Sequence, residues 1–339
     1  MLKGLSVMDP GIPTVPKPWH EGERRLQASL GVVERMAVSG PRGIRNFMPE
    51  QHRQFFAQLP FLVFGSVDAA GDVWATLLSG EPGFAHAPDP KQLHIGCAPS
   101  PDDPSTPGFA DGSAVGMLGI ELHTRRRNRL NGRVIRRDTN GFSLAVEHSF
   151  GNCPQYIRLR DIEQRGPDRG GMAVRGDSLT SRARAMIESA ETFFVASYTD
   201  ATDTGRQVDV SHRGGKAGFV RVGADDMLTV PDFAGNLHFN TLGNFLLTPK
   251  AGLAFVDFET GDLLQLTGAV SLILDSPEIS AFQGAQRLWT FRPEAMVLRE
   301  AALDWCWTAR KDGHSPSLLA TGSWTEVAQS QAAANPDDV

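Results

Sequence analysis

The chain has few of the features that would staple, anchor or export a protein. Its three cysteines, Cys97, Cys153 and Cys306, stand far apart in 339 residues. No CxxC pair or Cys/His ligand spacing occurs, which argues against a structural zinc and a disulfide framework. A reducing cytoplasm is the expected compartment. No apolar run reaches the roughly 18 residues of a membrane span, and no basic stretch leads into an apolar core at the N-terminus, so a soluble, unexported chain without a membrane partner is expected. Positive charge is also short. With 33 Lys and Arg against 39 Asp and Glu the net charge is -6, and no global field draws the chain to nucleic acid. No GxGxxG follows a strand and no GxxxxGK[ST] occurs, so the dinucleotide fold and the P-loop are excluded. Alternating βαβ periodicity is missing too, which disfavours a doubly wound sheet.

What is present divides into five stretches. Residues 1–45 form an N-terminal arm that opens with Pro10, Pro13, Pro16 and Pro18 and continues through Trp19, His20, Glu21, Gly22 and Glu23. His20, Glu21 and Glu23 are metal-ligand types without a second ligand group at useful spacing, so they read as docking residues. Residues 165–178, with Gly166, Pro167, Gly170, Gly171 and Gly176 among charges, have the composition of a surface linker between units at 46–164 and 179–310. Residues 311–339, rich in Ser, Ala, Gln and Asp, are expected to form a flexible tail.

The two units repeat one pattern. Each opens with a helix, marked by Phe55, Phe56 and Leu59 after Pro49 and by Ala183, Met186, Ile187 and Ala190 at i, i+3, i+4, i+7. Strands follow at Phe61 to Ser66 and Phe193 to Ser197, then at Val73 to Leu77 and Val208 to Ser211. Further on the offset settles at 136: Gly116 to Glu121 lies over Gly252 to Asp257, and Leu130 to Val134 over Leu266 to Val270. Short β-runs separated by turns such as Asp68 to Gly71, Thr139 to Gly141 and Glu259 to Gly261 predict a small antiparallel barrel in each unit. The fold class is mainly β, a tandem pair of barrels with short helices.

The stretches Val208 to Val222, Leu228 to Asn236 and Asn240 to Asn244, with Gly119 to Gly132 and Ser149 to Ile157 in the first unit, resemble the FMN-binding split barrels related to pyridoxamine 5'-phosphate oxidase, in their double-barrel branch. The resemblance spans about residues 45–300 and implies a barrel that pairs with another and holds FMN in the crease between them. The partner barrel is either the other half of this chain or a second copy in a homodimer. An Arg-rich C-terminal segment of the kind those oxidases use on the pyridoxal side is absent, which separates the chain from vitamin B6 chemistry.

FMN needs cations or N–H donors for its phosphate, an apolar slot for its ring and donors near the pyrimidine edge. Ser211, His212, Arg213 and Lys216, spaced by glycines, meet the first need; an ordinary solvated hairpin loop is the rival reading. Pro231, Phe233, Asn236, Asn240, Thr241 and Asn244 offer amides for the ring, although Asn and Thr there also suit the cap of a helix beginning near His238. His212 and His238 are the candidate proton donors, and neither is assigned a catalytic role. In the arginine run, strand alternation sends Arg125, Arg127 and Arg129 to one face, where guanidinium groups can meet a phosphate, and Arg126 to the other; a solvated strand face is the alternative. Cys153 reads as a small buried hydrophobe. The first unit has Leu78 to Pro82 where the second has its Ser-His-Arg loop, so the first is expected to be the scaffold.

The expectation is an FMN-binding oxidoreductase or flavin electron carrier that meets a small-molecule substrate or a redox partner protein. The alternative is a non-catalytic flavin- or haem-binding protein with one barrel as scaffold.

Overall fold

A computed structural model describes residues 18–165, 171–200, 203 and 205–334. The arm's first three prolines, the linker's Gly166, Pro167 and Gly170 and the last five residues lie outside it. The N-terminal stretch forms α1 (Glu21–Ser29) and α2 (Val33–Gly43). The first unit contains α3 (Glu50–Ala57), β1 (Phe61–Val67), β2 (Val73–Ser79), β3 (Ala85–Asp89), β4 (Gln92–Ile95), β5 (Ala114–Glu121), β6 (Arg126–Asp138) and β7 (Gly141–Gly151). β8 (Arg160–Gln164) and β9 (Val174–Gly176) follow. The second unit contains α4 (Ser181–Ser189), β10 (Thr192–Thr199), β11 (Gln207–Gly214), β12 (Arg221–Val222), β13 (Leu228–Phe233), α5 (Asn240–Leu247), β14 (Lys250–Val256), β15 (Leu263–Ile273), α6 (Pro277–Ala281) and β16 (Ala285–Arg299). β17 (Trp305–Ala309), α7 (Pro316–Leu319) and α8 (Trp324–Ala334) close the chain.

The two large sheets run β2-β1-β5-β6-β7-β4-β3 and β11-β10-β14-β15-β16-β13-β12. Replacing each strand of the first by its counterpart in the second reproduces the order without a change. The registers agree as well: Gly65 faces Gly116 as Ala196 faces Gly252, and both sheets carry a bulge in the same place, at Asn131/Gly132 and Thr267/Gly268. A Cβ at either bulge glycine would fall 2.0 Å from a carbonyl oxygen of the neighbouring strand. The tandem of mainly antiparallel β units is thus a duplication.

The halves pack as pseudo-dimer partners. Val63, Val73 and Ala75 of the first and Ala196, Val208 and Val210 of the second share one buried cluster. The closest approach runs through symmetry-related glycines. A Cβ at Gly116 would fall 2.7 Å from the Val208 carbonyl oxygen, and one at Gly252 would fall 2.4 Å from that of Val73. Gly252→Val should therefore destabilise the chain by about 3 kcal/mol in urea unfolding, whereas Gly43→Ala, which meets nothing within 4 Å, should leave the midpoint unchanged. Equal midpoints would contradict this interface.

The described part of the C-terminal tail is ordered structure, which corrects the sequence expectation. Leu318, Trp324 and Val327 are buried, and the Trp324 ring takes Arg221 3.9 Å from its centroid. Three apolar anchors sufficed where the composition pointed to fraying. β9 likewise pairs with β16 inside the expected linker. No helix among the described residues is long and apolar enough to cross a membrane.

Candidate functional site

The pseudo-two-fold generates two creases between the barrels, and they differ in chemistry. In the first, β6 of one unit meets β11 of the other. β11 is an edge strand, so both of its faces are within reach of the crease. Ser211 and Arg213 come from one face and His212 from the other, and all three line the pocket there. On β6, alternation turns Arg127 and Arg129 into the pocket, while Arg126 lies over the Phe55 ring. Arg287 from β16 completes a set of four guanidinium groups.

Their partners are sparse. Arg213 donates to one oxygen of Asp232 at 2.6 Å and Arg287 to the other at 3.1 Å. Arg129 pairs with Asp209 at 3.5 Å, donates to Asn240 Oδ1 at 3.0 Å and also reaches Ser211 Oγ. Ser211 and Thr241 share a hydrogen bond of 2.8 Å. Arg127 donates through Nε to the Cys153 carbonyl at 2.6 Å and has no carboxylate partner among the described residues. Two carboxylates thus face four guanidinium groups, which leaves two positive charges for a ligand. Burial, then Arg129 and Arg213, push the Arg127 guanidinium down to about 9. Burial and the same cationic surroundings hold His212 well below the usual imidazole range, so its ring adds no charge at neutral pH. Nε of Arg129, Nε of Arg213 and Nδ1 of His212 are buried without partners among the described residues.

The mouth is aromatic and polar. Tyr156 and Phe233 stand with ring centroids 5.2 Å apart, and Phe239 lies under Arg287 at 5.0 Å. Two hydrogen bonds join the lips, Tyr156 Oη to the Ala234 carbonyl at 2.9 Å and Asn236 Nδ2 to Asn152 Oδ1 at 3.3 Å. Tyr156, Leu237 and Phe239 have φ of 65°, 63° and 61°. Bulky residues in the left-handed region cost energy and concentrate at functional sites; here three of them border one pocket.

The second crease is the internal control. Strand registers lay Arg127, Arg129, Ser211, His212 and Arg213 over Leu263, Gln265, Thr76, Leu77 and Leu78. Leu77 and Leu263 pack with Phe61, Phe258, Leu303 and Trp307, and Gln265 and Thr76 hold Asp103, itself paired with Arg299 at 2.6 Å. The fold therefore closes this crease with its own side chains, and its one arginine in that network, Arg299, is neutralised by Asp103.

Of the residues singled out from sequence, Arg127, Ser211, His212, Arg213, Pro231, Phe233, Asn236, Asn240 and Thr241 line the first crease. Three expected with them lie elsewhere. Lys216 is turned to Glu326 at 3.3 Å, because α8 packs over its loop. Asn244 is buried inside its barrel, donating to Ser197 Oγ at 3.0 Å. Arg125 has φ of 63°, which breaks the alternation and sends its side chain to the carbonyls of Ile157 and Gly313. Asn240 does not cap α5; Phe239 occupies that position. Asp232 and Arg287 were missed: the first sits inside the Pro231 to Asn236 motif, but the second has no local signal.

No family model and no curated protein matches the chain. Among solved structures, HupZ of Group A Streptococcus is 14% identical over 35% of this chain and 91% of its own, with a TM-score of 0.28. A putative pyridoxamine 5'-phosphate oxidase from Lactobacillus delbrueckii is 16% identical over 31% and 95%, at 0.25. HutZ, a heme storage protein from Vibrio cholerae, is 13% identical over 36% and 95%, at 0.25.

Proposed function

We propose that the chain binds FMN in the first crease and acts as a flavin-dependent oxidoreductase or electron carrier. The observation that carries this reading is the asymmetry between the creases: four arginines against two carboxylates gather in one, while the other is closed by leucines and a matched Asp103–Arg299 pair. Two uncompensated positive charges match a phosphate monoester, which carries about -1.5 to -2 near neutrality. The donor set fits. Arg127, Arg129 and Arg213 would hold the phosphate, Tyr156 and Phe233 would face the ring, and the amides of Asn152 and Asn236 can both donate and accept at a pyrimidine edge. Bound FMN supplies hydride or one-electron transfer. The protein's own part is to bind and orient it, and a neutral His212 keeps that charge balance at physiological pH. Both lips belong to one chain, so a single copy suffices for the site, and its partner is a small-molecule substrate or a redox protein.

Denaturing the purified protein and weighing the released chromophore tests this. One FMN per chain and a flavin absorbance band are expected. The second reading, haem held through its propionates, has the unpartnered Nδ1 of His212 in its favour and would give a Soret band instead. A colourless protein that FMN does not titrate would contradict both.

A further inference from the structure

We propose that Glu23, on the helix that precedes both barrels, is a positioning residue of the anion pocket and sets the Arg129 guanidinium through the side-chain amide of Asn240. The proposal rests on reading the first crease as a phosphate site. A guanidinium has only donors, so the end of Asn240 that meets Arg129 at 3.0 Å must be its oxygen. The NH2 end then needs an acceptor, and it has one in Glu23 Oε1. Without that acceptor the amide is free to turn, and Arg129 loses the oxygen that aims it.

Helix α1 is built to reach this point. Gly22 packs so closely on α5 that a Cβ there would fall 2.0 Å from the Gly243 carbonyl oxygen, and a Cβ at Gly243 would fall 2.7 Å from the Glu23 amide nitrogen. His20 closes a capping box with Glu23 at the helix start. Glu23 is only 2% exposed, deeper than a solvated helix face requires. The arrangement belongs to one crease only, because among the described residues no helix precedes α4 as α1 precedes α3, and the counterpart of α5 is a single short turn at Thr106–Phe109.

The groups around the Glu23 carboxyl are Asp209 on β11, Arg129 on β6, Asn240 on α5 and the His20 ring at 3.5 Å. Burial, then Asp209, push the carboxyl well above its usual range, so it ionises at a higher pH than an exposed carboxyl and, once ionised, adds a negative charge behind Arg129. Raising the pH ionises it and should weaken anion binding.

Calorimetric titration with FMN and with inorganic phosphate, from pH 6 to 8, below the range in which Arg127 loses its charge, tests this on the full chain. Glu23→Ala should weaken both probes by about tenfold. Glu23→Gln keeps an acceptor oxygen and should stay within about threefold of the parent at pH 7, while losing the decline at high pH. Glu21→Ala, on the exposed side of the same helix, should bind as the parent does. Should Glu23→Ala fail to fold, Glu23→Gln and its pH profile decide alone. A folded Glu23→Ala that binds like the parent, or a Glu23→Gln with the parent's pH profile, overturns this role and leaves the phosphate reading standing. A parent that binds neither probe overturns both.

Discussion

Arg127→Leu should weaken FMN binding about 10- to 100-fold while raising the stability of the unliganded protein by roughly 1–3 kcal/mol. The substitution copies Leu263, which occupies the symmetry-related position in the closed crease. Among the described residues Arg127 has no carboxylate partner, and its guanidinium is pushed down to about 9 by burial and by Arg129 and Arg213, so the fold bears the cost of keeping it charged. A ligand phosphate offsets that cost; leucine removes it. Adding Arg129→Gln, the residue of the second crease, should take the loss to about a thousandfold by removing a second charge-assisted contact. Riboflavin, which has no phosphate, should bind parent and variants alike. Fluorescence titration with the two flavins, beside urea unfolding of the free proteins, checks both halves of the expectation. Equal losses for FMN and riboflavin would mean that Arg127 serves the ring or the fold instead.

Acid should destabilise the chain well above the range in which carboxylates titrate. Burial lowers the imidazoles of His20, His52, His148 and His212, and it brings His238, whose ring meets Trp19 at 4.8 Å, down to about 4. An unfolded chain takes up protons at these rings near pH 6.5 and the folded chain does not, so stability is complete above that pH and is lost as pH falls below it. His238 alone accounts for roughly 3 kcal/mol between pH 6.5 and 4. Glu23 works in the opposite direction, since its raised carboxyl favours the fold as pH falls, but it is one group against six, His94 being lowered as well. Urea midpoints at pH 7, 5.5 and 4.5 should drop in sequence, and His238→Gln should flatten the lower part of the curve. A midpoint that holds down to pH 4.5 would contradict the burial of these rings.

Local signals carried the fold well. The 136-residue offset joined Gly116 to Gly252 and Leu130 to Leu266, and the structure adds the reason: each pair sits where backbone approaches backbone, at the inter-barrel contact or beside a bulge. Turn glycines such as Gly71 and Gly261 have the positive φ expected of them. The site was legible only in pieces, because it is assembled from strands of both units. Ser211 to Arg213 stood out as a cluster, but Arg287 is one of three arginines spread along β16 and reaches the pocket through β16 pairing with β13. Lys216 looked as suitable as Arg213, and only α8, anchored by Trp324 far along the chain, turns it away. Arg125 followed the alternation on paper until one left-handed residue broke it. Likewise nothing near Glu23 announces Asn240, 217 residues away.

The most direct test of the central claim is a crystal structure of the chain grown with FMN. Density for the phosphate among Arg127, Arg129 and Arg213, with the second crease still closed over Asp103 and Arg299, is the result this account predicts. Phosphate density in the second crease, or a flavin bound away from the arginines, would contradict it.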